Sequence, residues 1–268
     1  MGIVNLTPDS FSQDGCLKNL KTGKEKAVRL ALKHLREGAD IIDLGGESSR
    51  PGAEQISVRE ELGRILPVLK ALMKKINRPI SVDTYKPAVA QHALDAGVSI
   101  INNIKGVRAE KSLLKMIRNY HATVILMHMK GTPRTMQRKV HYHNLMEEVI
   151  SSLRNSIEIC LEIGIPSDRI IIDPGIGFGK TIEHNLEIIN QLGKFNILNQ
   201  PLLIGTSRKS FIGKILDRDV QHRLLGTMAT ACVSVLRGAH IVRVHDVQET
   251  YETVKIADAI LNQQVEIE

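Results

Sequence analysis

One arrangement recurs along the chain and restricts its fold more than any other feature. A short β-branched apolar run ends in a polar or glycine-containing turn, and an amphipathic helical stretch follows. The runs lie at Gly2–Asn5, Ile41–Leu44, Ile80–Val82, Ser99–Ile101, Thr123–Met127, Ile170–Ile172, Leu202–Ile204 and Ile241–Val244. Helical periodicity fills the spaces between them, for example over Thr22–Arg36, Val58–Lys75, Leu145–Ile163 and His222–Arg237. Eight strand–helix units in 268 residues predict a (β/α)8 TIM barrel, an architecture of about 250 residues. Aromatic residues are only 3% of the chain and Trp is absent, so the core must be built from Ile, Leu, Val, Ala and Met. A parallel sheet buried on both faces prefers that composition. No linker or low-complexity segment divides residues 1–268, which predicts one domain.

Periodicity alone also allows an open doubly wound sheet. The placement of the polar residues decides for the barrel. Asn5, Asp43, Asp83, Asn102, His128, Asp173, Ser207 and the Arg243/His245 pair all fall at C-terminal strand ends. A barrel gathers those ends at one mouth, where its active sites lie, whereas an open sheet scatters them along an edge. The first strand starts at Met1. Barrels often plug their N-terminal face with a leading segment, so either that plug is lacking or the chain as given starts late.

The formal charge is +7. A basic chain attracts anionic ligands or nucleic acid. The four Phe and four Tyr form no stacking cluster, and Lys24, Lys26, Arg29 and Lys33 sit on a helix face with intervening acids. Small anionic substrates are therefore favoured over a nucleic-acid partner. Cys16, Cys160 and Cys232 are odd in number and form no CxxC pair, which argues for a reducing compartment and against a disulfide framework or zinc site. No signal peptide and no apolar run near about 18 residues is present, so a cytoplasmic protein without a membrane partner is expected.

The strand ends carry MGIVNLTPDSF at 1–11, GGESSRPG at 45–52, SVDT at 81–84, INNI at 101–104, LMHMKG at 126–131, DPGIGFGK at 173–180, GTSRKSFIG at 205–213 and VRVHDV at 242–247. Each is weak alone. All eight in order resemble the successive strand-end signatures of dihydropteroate synthase, from the first residue to near the C-terminus. The resemblance implies a transferase of folate biosynthesis that joins a pterin pyrophosphate to 4-aminobenzoate.

It also implies a set of roles, each with its own physical fit. Asp173 faces the 2-amino-4-oxo edge of the pterin, where a carboxylate accepts two parallel hydrogen bonds. Asn102 offers a donor and an acceptor to the ring nitrogens. Lys209 donates on the carbonyl side, Asp83 is the matching residue on strand three, Met127 supplies an apolar face, and Arg243 stacks a planar guanidinium. Asn5, Arg243 and His245 line the pyrophosphate pocket, with Asn5 reaching a Mg2+ ion that keeps waters and phosphate oxygens as its other ligands. Ser210, at the start of a helix, lies beside the 4-aminobenzoate carboxylate. Phe178, Pro51 and Ser49 wall its ring. Phe11 and Arg50 lie on two Gly- and Ser-rich loops that are candidates to close over the site once the pyrophosphate is bound. The family also implies a homodimer. Displacement at the pterin methylene needs no activated nucleophile, because a neutral arylamine is already nucleophilic; SN1-like and SN2 routes both stay open.

Three departures from the family pattern stand out. Loop one reads Ser12-Gln13-Asp14-Gly15, so its acid is replaced or moved by one position. Ser49 stands where Thr is usual. Asn103 stands where strand four usually has Asp, removing a carboxylate next to Asn102. Two other readings remain: a pterin-binding methyltransferase of the same barrel superfamily, which would need neither Arg50 nor Lys209 beside a leaving pyrophosphate, and a basic RNA-binding protein.

Overall fold

The computed structural model describes residues 1–7, 20–49, 52–106, 110–132, 134–137 and 140–263. Its strands are β1 (Gly2–Asn5), β2 (Ile42–Gly45), β3 (Ile80–Asp83), β4 (Ile100–Asn103), β5 (Thr123–Met127), β6 (Ile170–Asp173), β7 (Leu203–Ile204) and β8 (Ile241–Val242). The helices are α1 (Leu20–Arg36), α2 (Val58–Leu72), α3 (Pro87–Asp95), α4 (Lys111–Asn119), α5 (Leu145–Ile163), α6 (Ile182–Asn190), α7 (Ser210–Leu216), α8 (Leu224–Leu236) and α9 (Val247–Asn262). β1 to β6 form one parallel sheet in chain order, and β7 pairs with β8. Single parallel bridges, Ile172 with Leu202 and Gly2 with Val244, join the two sheets into a ring. The chain is the expected (β/α)8 barrel.

Local chemistry sets the helix boundaries. α5 starts at Asn144, whose side chain accepts from the Glu147 N–H, and stops at Gly164 in the left-handed conformation. α2 opens on Ser57, which accepts from the Glu60 N–H. It ends at Leu72 rather than running to Lys75, and Lys75 donates its backbone N–H back to Leu72 in a closing turn. The expected helix from His222 is shorter at its start, because Val220–His222 forms a separate 3-10 turn before α8.

Strand alternation divides the residues into two sets. Val4, Ile42, Leu44, Val82, Ile101, Leu126, Ile172 and Ile204 point outward into the main core against the helices. The inward set is layered. Met1, Ile100, Ile125 and Leu203, with Ile41, Ile171 and Ile241 packed against them, fill the lower barrel with hydrocarbon. The layer above, toward the C-terminal ends, holds Asp43, Asp83, Asn102, Asp173 and Arg243. An apolar floor therefore carries a polar mouth.

Candidate active site

The register places Asn5, Gly45, Asp83 and Asn102 side by side across four adjacent strands. Arg243 reaches over from β8. Its Nε donates to Asp43 Oδ2 at 2.7 Å, and its terminal nitrogen lies 3.1 Å from Asp83 Oδ2. Asn102 Nδ2 donates to the same Asp43 oxygen at 3.4 Å. Asp43 is fully buried. It stood among the strand-end residues but carried no assigned role; its signal was a carboxylate inside the apolar run Ile41–Leu44. Burial works against the charge on Arg243, but Asp43 and Asp83 outweigh it and hold the guanidinium above its usual range. Burial pushes Asp83 up to about 7, with Arg243 opposing and Asp43 and Glu61 adding to the rise.

Asp173 ends β6, buried, with Oδ1 accepting the Gly175 N–H at 2.7 Å. Burial raises its pKa against the pull of that bond, Lys209, Arg243 and Lys180. Lys209 Nζ sits 4.2 Å from the Phe178 ring centroid. Burial, with Arg243 nearby, pushes Lys209 down to about 8 while Asp173 and Asp83 resist. Phe178 and Met127 pack together with Ile104 and Met136, so both offer hydrocarbon at the rim. Ser210 is the first, exposed residue of α7.

A second group forms where β1 meets β8. His245 Nε2 is 3.4 Å from Asn5 Nδ2, and His245 Nδ1 is 3.0 Å from Ser207 Oγ, which also accepts the His245 backbone N–H. Burial, Arg243 and Arg208 push the imidazole down to about 3, so it is neutral at neutral pH. Among the described residues no group of three or more His, Cys, Asp or Glu could hold a metal ion. With its nitrogen toward His245, Asn5 keeps its amide oxygen as an acceptor. That oxygen lies 3.3 Å from where a Cβ on Gly45 would stand, so the glycine leaves room beside it. One amide ligand in an open setting fits a hydrated divalent cation carried in with a phosphate.

One expectation needs correction. His128 follows the inward-facing Met127 and takes the outward set. It is buried against the Tyr142 ring, and its Nδ1 lies 2.9 Å from Lys180 Nζ. It belongs to the packing between the β5 and β6 loops. Asn103 also falls on the outward face, fully buried, where its Oδ1 accepts the Lys105 N–H at 2.9 Å. An Asn keeps that turn-closing acceptor, so the missing carboxylate changes the packing behind the sheet and not the pterin side.

The glycines of the β6 loop have a steric origin. A Cβ on Gly175, at φ +71, would lie 2.0 Å from the His128 carbonyl oxygen. Gly175→Ala is therefore expected to cost about 2–4 kcal/mol and to displace Asp173; urea unfolding at near-native stability would contradict this close approach.

Loop two is fastened at its base. Lys86 Nζ donates to Glu47 Oε2 at 2.5 Å, to Glu61 Oε2 at 2.6 Å and to the Ile56 carbonyl at 2.7 Å, while Tyr85 donates to Glu47 Oε1 at 2.8 Å. Of these four side chains only Glu47 falls in a strand-end motif, GGESSRPG at 45–52. Ser49 is half-buried just beyond them. Phe11, Arg50 and Pro51, with the loop-one positions Gln13 and Asp14, lie outside the described residues.

The model of the pterin binding enzyme family matches residues 1–245. A dihydropteroate synthase of Synechocystis sp. is 44% identical over 261 residues, spanning 97% of this chain and 89% of that protein. The chain belongs to the dihydropteroate synthase family. Solved structures agree with the fold. The Yersinia pestis dihydropteroate synthase in a sulfonamide drug complex superposes with a TM-score of 0.91 at 40% identity, covering 98% of this chain and 94% of that one. The Clostridium difficile dihydropteroate synthase, crystallised in the presence of pteroic acid, gives 0.89 at 41% identity, covering 97% and 95%. The charged mouth described above lies at the C-terminal ends of the strands, the end at which (β/α)8 barrels carry their active sites.

Proposed function

We infer that this protein condenses 6-hydroxymethyl-7,8-dihydropterin pyrophosphate with 4-aminobenzoate, giving 7,8-dihydropteroate and pyrophosphate in folate biosynthesis. The observation that carries the reading is Asp173, Lys209 and Phe178 converging at one mouth with Asn102, Asn5 and His245, in a chain of this family. The pterin edge lies against Asp173 and Asn102, over Met127 and beside Lys209. Arg243, bridging Asp43 and Asp83, closes the pterin floor and faces the pyrophosphate. His245 is neutral, so it serves the leaving group by hydrogen bonding, and the positive charge comes from Arg243 and Lys209. Asn5 would hold Mg2+, which when bound neutralises charge on the pyrophosphate. The arylamine nitrogen forms the new bond to the pterin methylene, the carbon–oxygen bond to pyrophosphate breaks, and the amine loses one proton to solvent. Positioning and charge neutralisation supply the rate. Phe178, Ser49, Pro51 and Ser210 receive 4-aminobenzoate, with Phe11 and Arg50 completing the pocket.

Incubation with both substrates and Mg2+ should yield dihydropteroate and pyrophosphate in equal amounts. Pterin binding without pyrophosphate release would favour the methyltransferase reading. Lys209 gives a further test. Its ammonium is lost as pH rises through about 8, so affinity for a bare pterin should fall on the alkaline side, and Lys209→Ala should weaken it at every pH below that. An affinity flat from pH 7 to 9.5 (roughly the span around that pKa) would remove Lys209 from the ring.

The same reading includes a homodimer. Ile215 and Leu216 on α7, Leu225 and Val233 on α8, and Ile256 and Ile260 on α9 are exposed. A second copy of this face would cover them by two-fold pairing. Sedimentation equilibrium should give twice the chain mass, and Leu225→Glu should shift it toward one. No described helix is long and apolar enough to cross a membrane. Cys160 and Cys232 are both free thiols, which supports placing the enzyme in the cytoplasm.

A further inference from the structure

We infer that Arg208 and Asp246 form a clamp that sets the spacing between Lys209 and His245, which makes both of them positioning residues of the active site. This rests on the roles given above to Lys209 and His245. Arg208 Nε donates to Asp246 Oδ2 at 2.9 Å, and its terminal nitrogen bonds the other carboxylate oxygen, so the pairing is two-pronged. It joins the loop leaving β7 to the loop leaving β8, each residue standing one position from the group it holds.

Both partners give up a local preference to make the contact. Arg208 holds φ +57, a left-handed backbone that favours Gly or Asn. Asp246 stands at the N-cap of α9, where Asp ordinarily accepts from the helix's own first N–H groups, yet it makes no such bond. Its carboxylate is turned to Arg208 instead. The strained backbone of Arg208 is fixed from both sides: its N–H donates to Thr227 Oγ1 at 3.1 Å, and its carbonyl accepts from Arg223 at 3.0 Å.

The location explains why a clamp is needed. β7 and β8 contribute only two residues each, against four or five in the other strands; β7 meets β6 through one bridge, and β8 meets β1 at Val244, which donates to the Met1 carbonyl at 3.0 Å and accepts from the Ile3 N–H at 2.9 Å. The β7–β8 ladder stops at Ile204 and Val242, short of Lys209 and His245. Side-chain links take over at the mouth: Arg208 to Asp246, Ser207 to His245, and Thr230 to Thr206 at 2.9 Å. Of these, only the Arg208–Asp246 pair is a two-bond ionic contact, with a fork that fixes direction as well as distance.

The test uses the full chain with Asp246→Asn, which leaves the strained backbone untouched, and with Arg208→Ala, Arg208→Lys and Asp246→Glu. Asp246→Asn and Arg208→Ala should lower kcat about tenfold or more, because misplacement by a fraction of an ångström is costly. The affinity for a bare pterin, which Asp173 and Asn102 still hold, should fall by less than it does in Lys209→Ala. Arg208→Lys keeps the charge but not the fork and should not restore kcat, whereas Asp246→Glu should recover much of it. The His245 imidazole resonances should move in Arg208→Ala and Asp246→Asn. Wild-type kcat in Asp246→Asn, full rescue by Arg208→Lys, or a fall in melting temperature with kinetics and imidazole signals unchanged would each overturn the clamp. An inactive wild type would instead overturn the functional reading, and the imidazole signals would still decide the clamp: unmoved in both variants, they refute it.

Discussion

Arg243→Ala should be the most damaging single change at the barrel mouth. It removes the shared partner of Asp43 and Asp83 and leaves two carboxylates, one of them fully buried, facing each other. Breaking a buried ion pair from one side costs about 3–5 kcal/mol. Arg243 keeps 20% of its side chain exposed, so the lower end of that range is expected. The pH dependence identifies the cause. Burial already raises Asp83 to about 7 against the pull of Arg243. Without the arginine, the folded-state pKa of Asp83 rises further above its unfolded value. Such a group stabilises the fold fully below the unfolded pKa, and that contribution is lost as pH rises through the folded pKa. The variant's deficit should therefore be smallest near pH 5 and greatest at pH 8 and above. Urea unfolding at several pH values reads this directly, and a pH-independent deficit would mean that lost packing dominates. Turnover should fall with stability, because the same side chain faces the leaving group.

Asp173→Asn should have the largest effect on binding without much harm to the fold. Two N–H donors on the pterin edge require two acceptors, and an amide places a donor against one of them. A hydrogen bond to a charged group is worth about 1.5–3 kcal/mol, so pterin affinity should fall more than tenfold. Asn can still accept the Gly175 N–H that Asp173 receives at 2.7 Å, which keeps the β6 turn. It also removes a buried charge whose pKa burial has raised, so folding stability should hold. Calorimetric titration with a bare pterin is the measurement, and unchanged affinity would remove Asp173 from the pterin edge.

Much of this was legible in the chain because the periodicities are local. α5 runs over the residues its apolar spacing predicts, and β1 and β5 have the predicted bounds. The mouth was legible because polar residues interrupt apolar runs at strand ends. What escaped was non-local or depended on a single step of register. Asp43 and Arg243 pair across 200 positions, and nothing near either residue announces the other. His128 was misplaced because neighbouring residues on a strand face opposite ways, so one position separates the mouth from the packing behind it. Lys86 and Glu47 escaped for another reason: their contribution is to hold a loop base, and solvated loop charges look the same in a sequence.

The division of the ring into six strands and two has a consequence for how the protein opens. β7 and β8 pair over a ladder of two residues, against three or four in the pairs of the larger sheet, so their amides should exchange with solvent before those of β1 to β6, and the last quarter of the chain should be the first cooperative unit to come undone. That quarter carries Lys209, Arg243 and His245, whereas Asp83, Asn102 and Asp173 stand on the durable part. Filling the anion side should slow exchange at Leu203–Ile204 and Ile241–Val242, and a bare pterin should slow it much less.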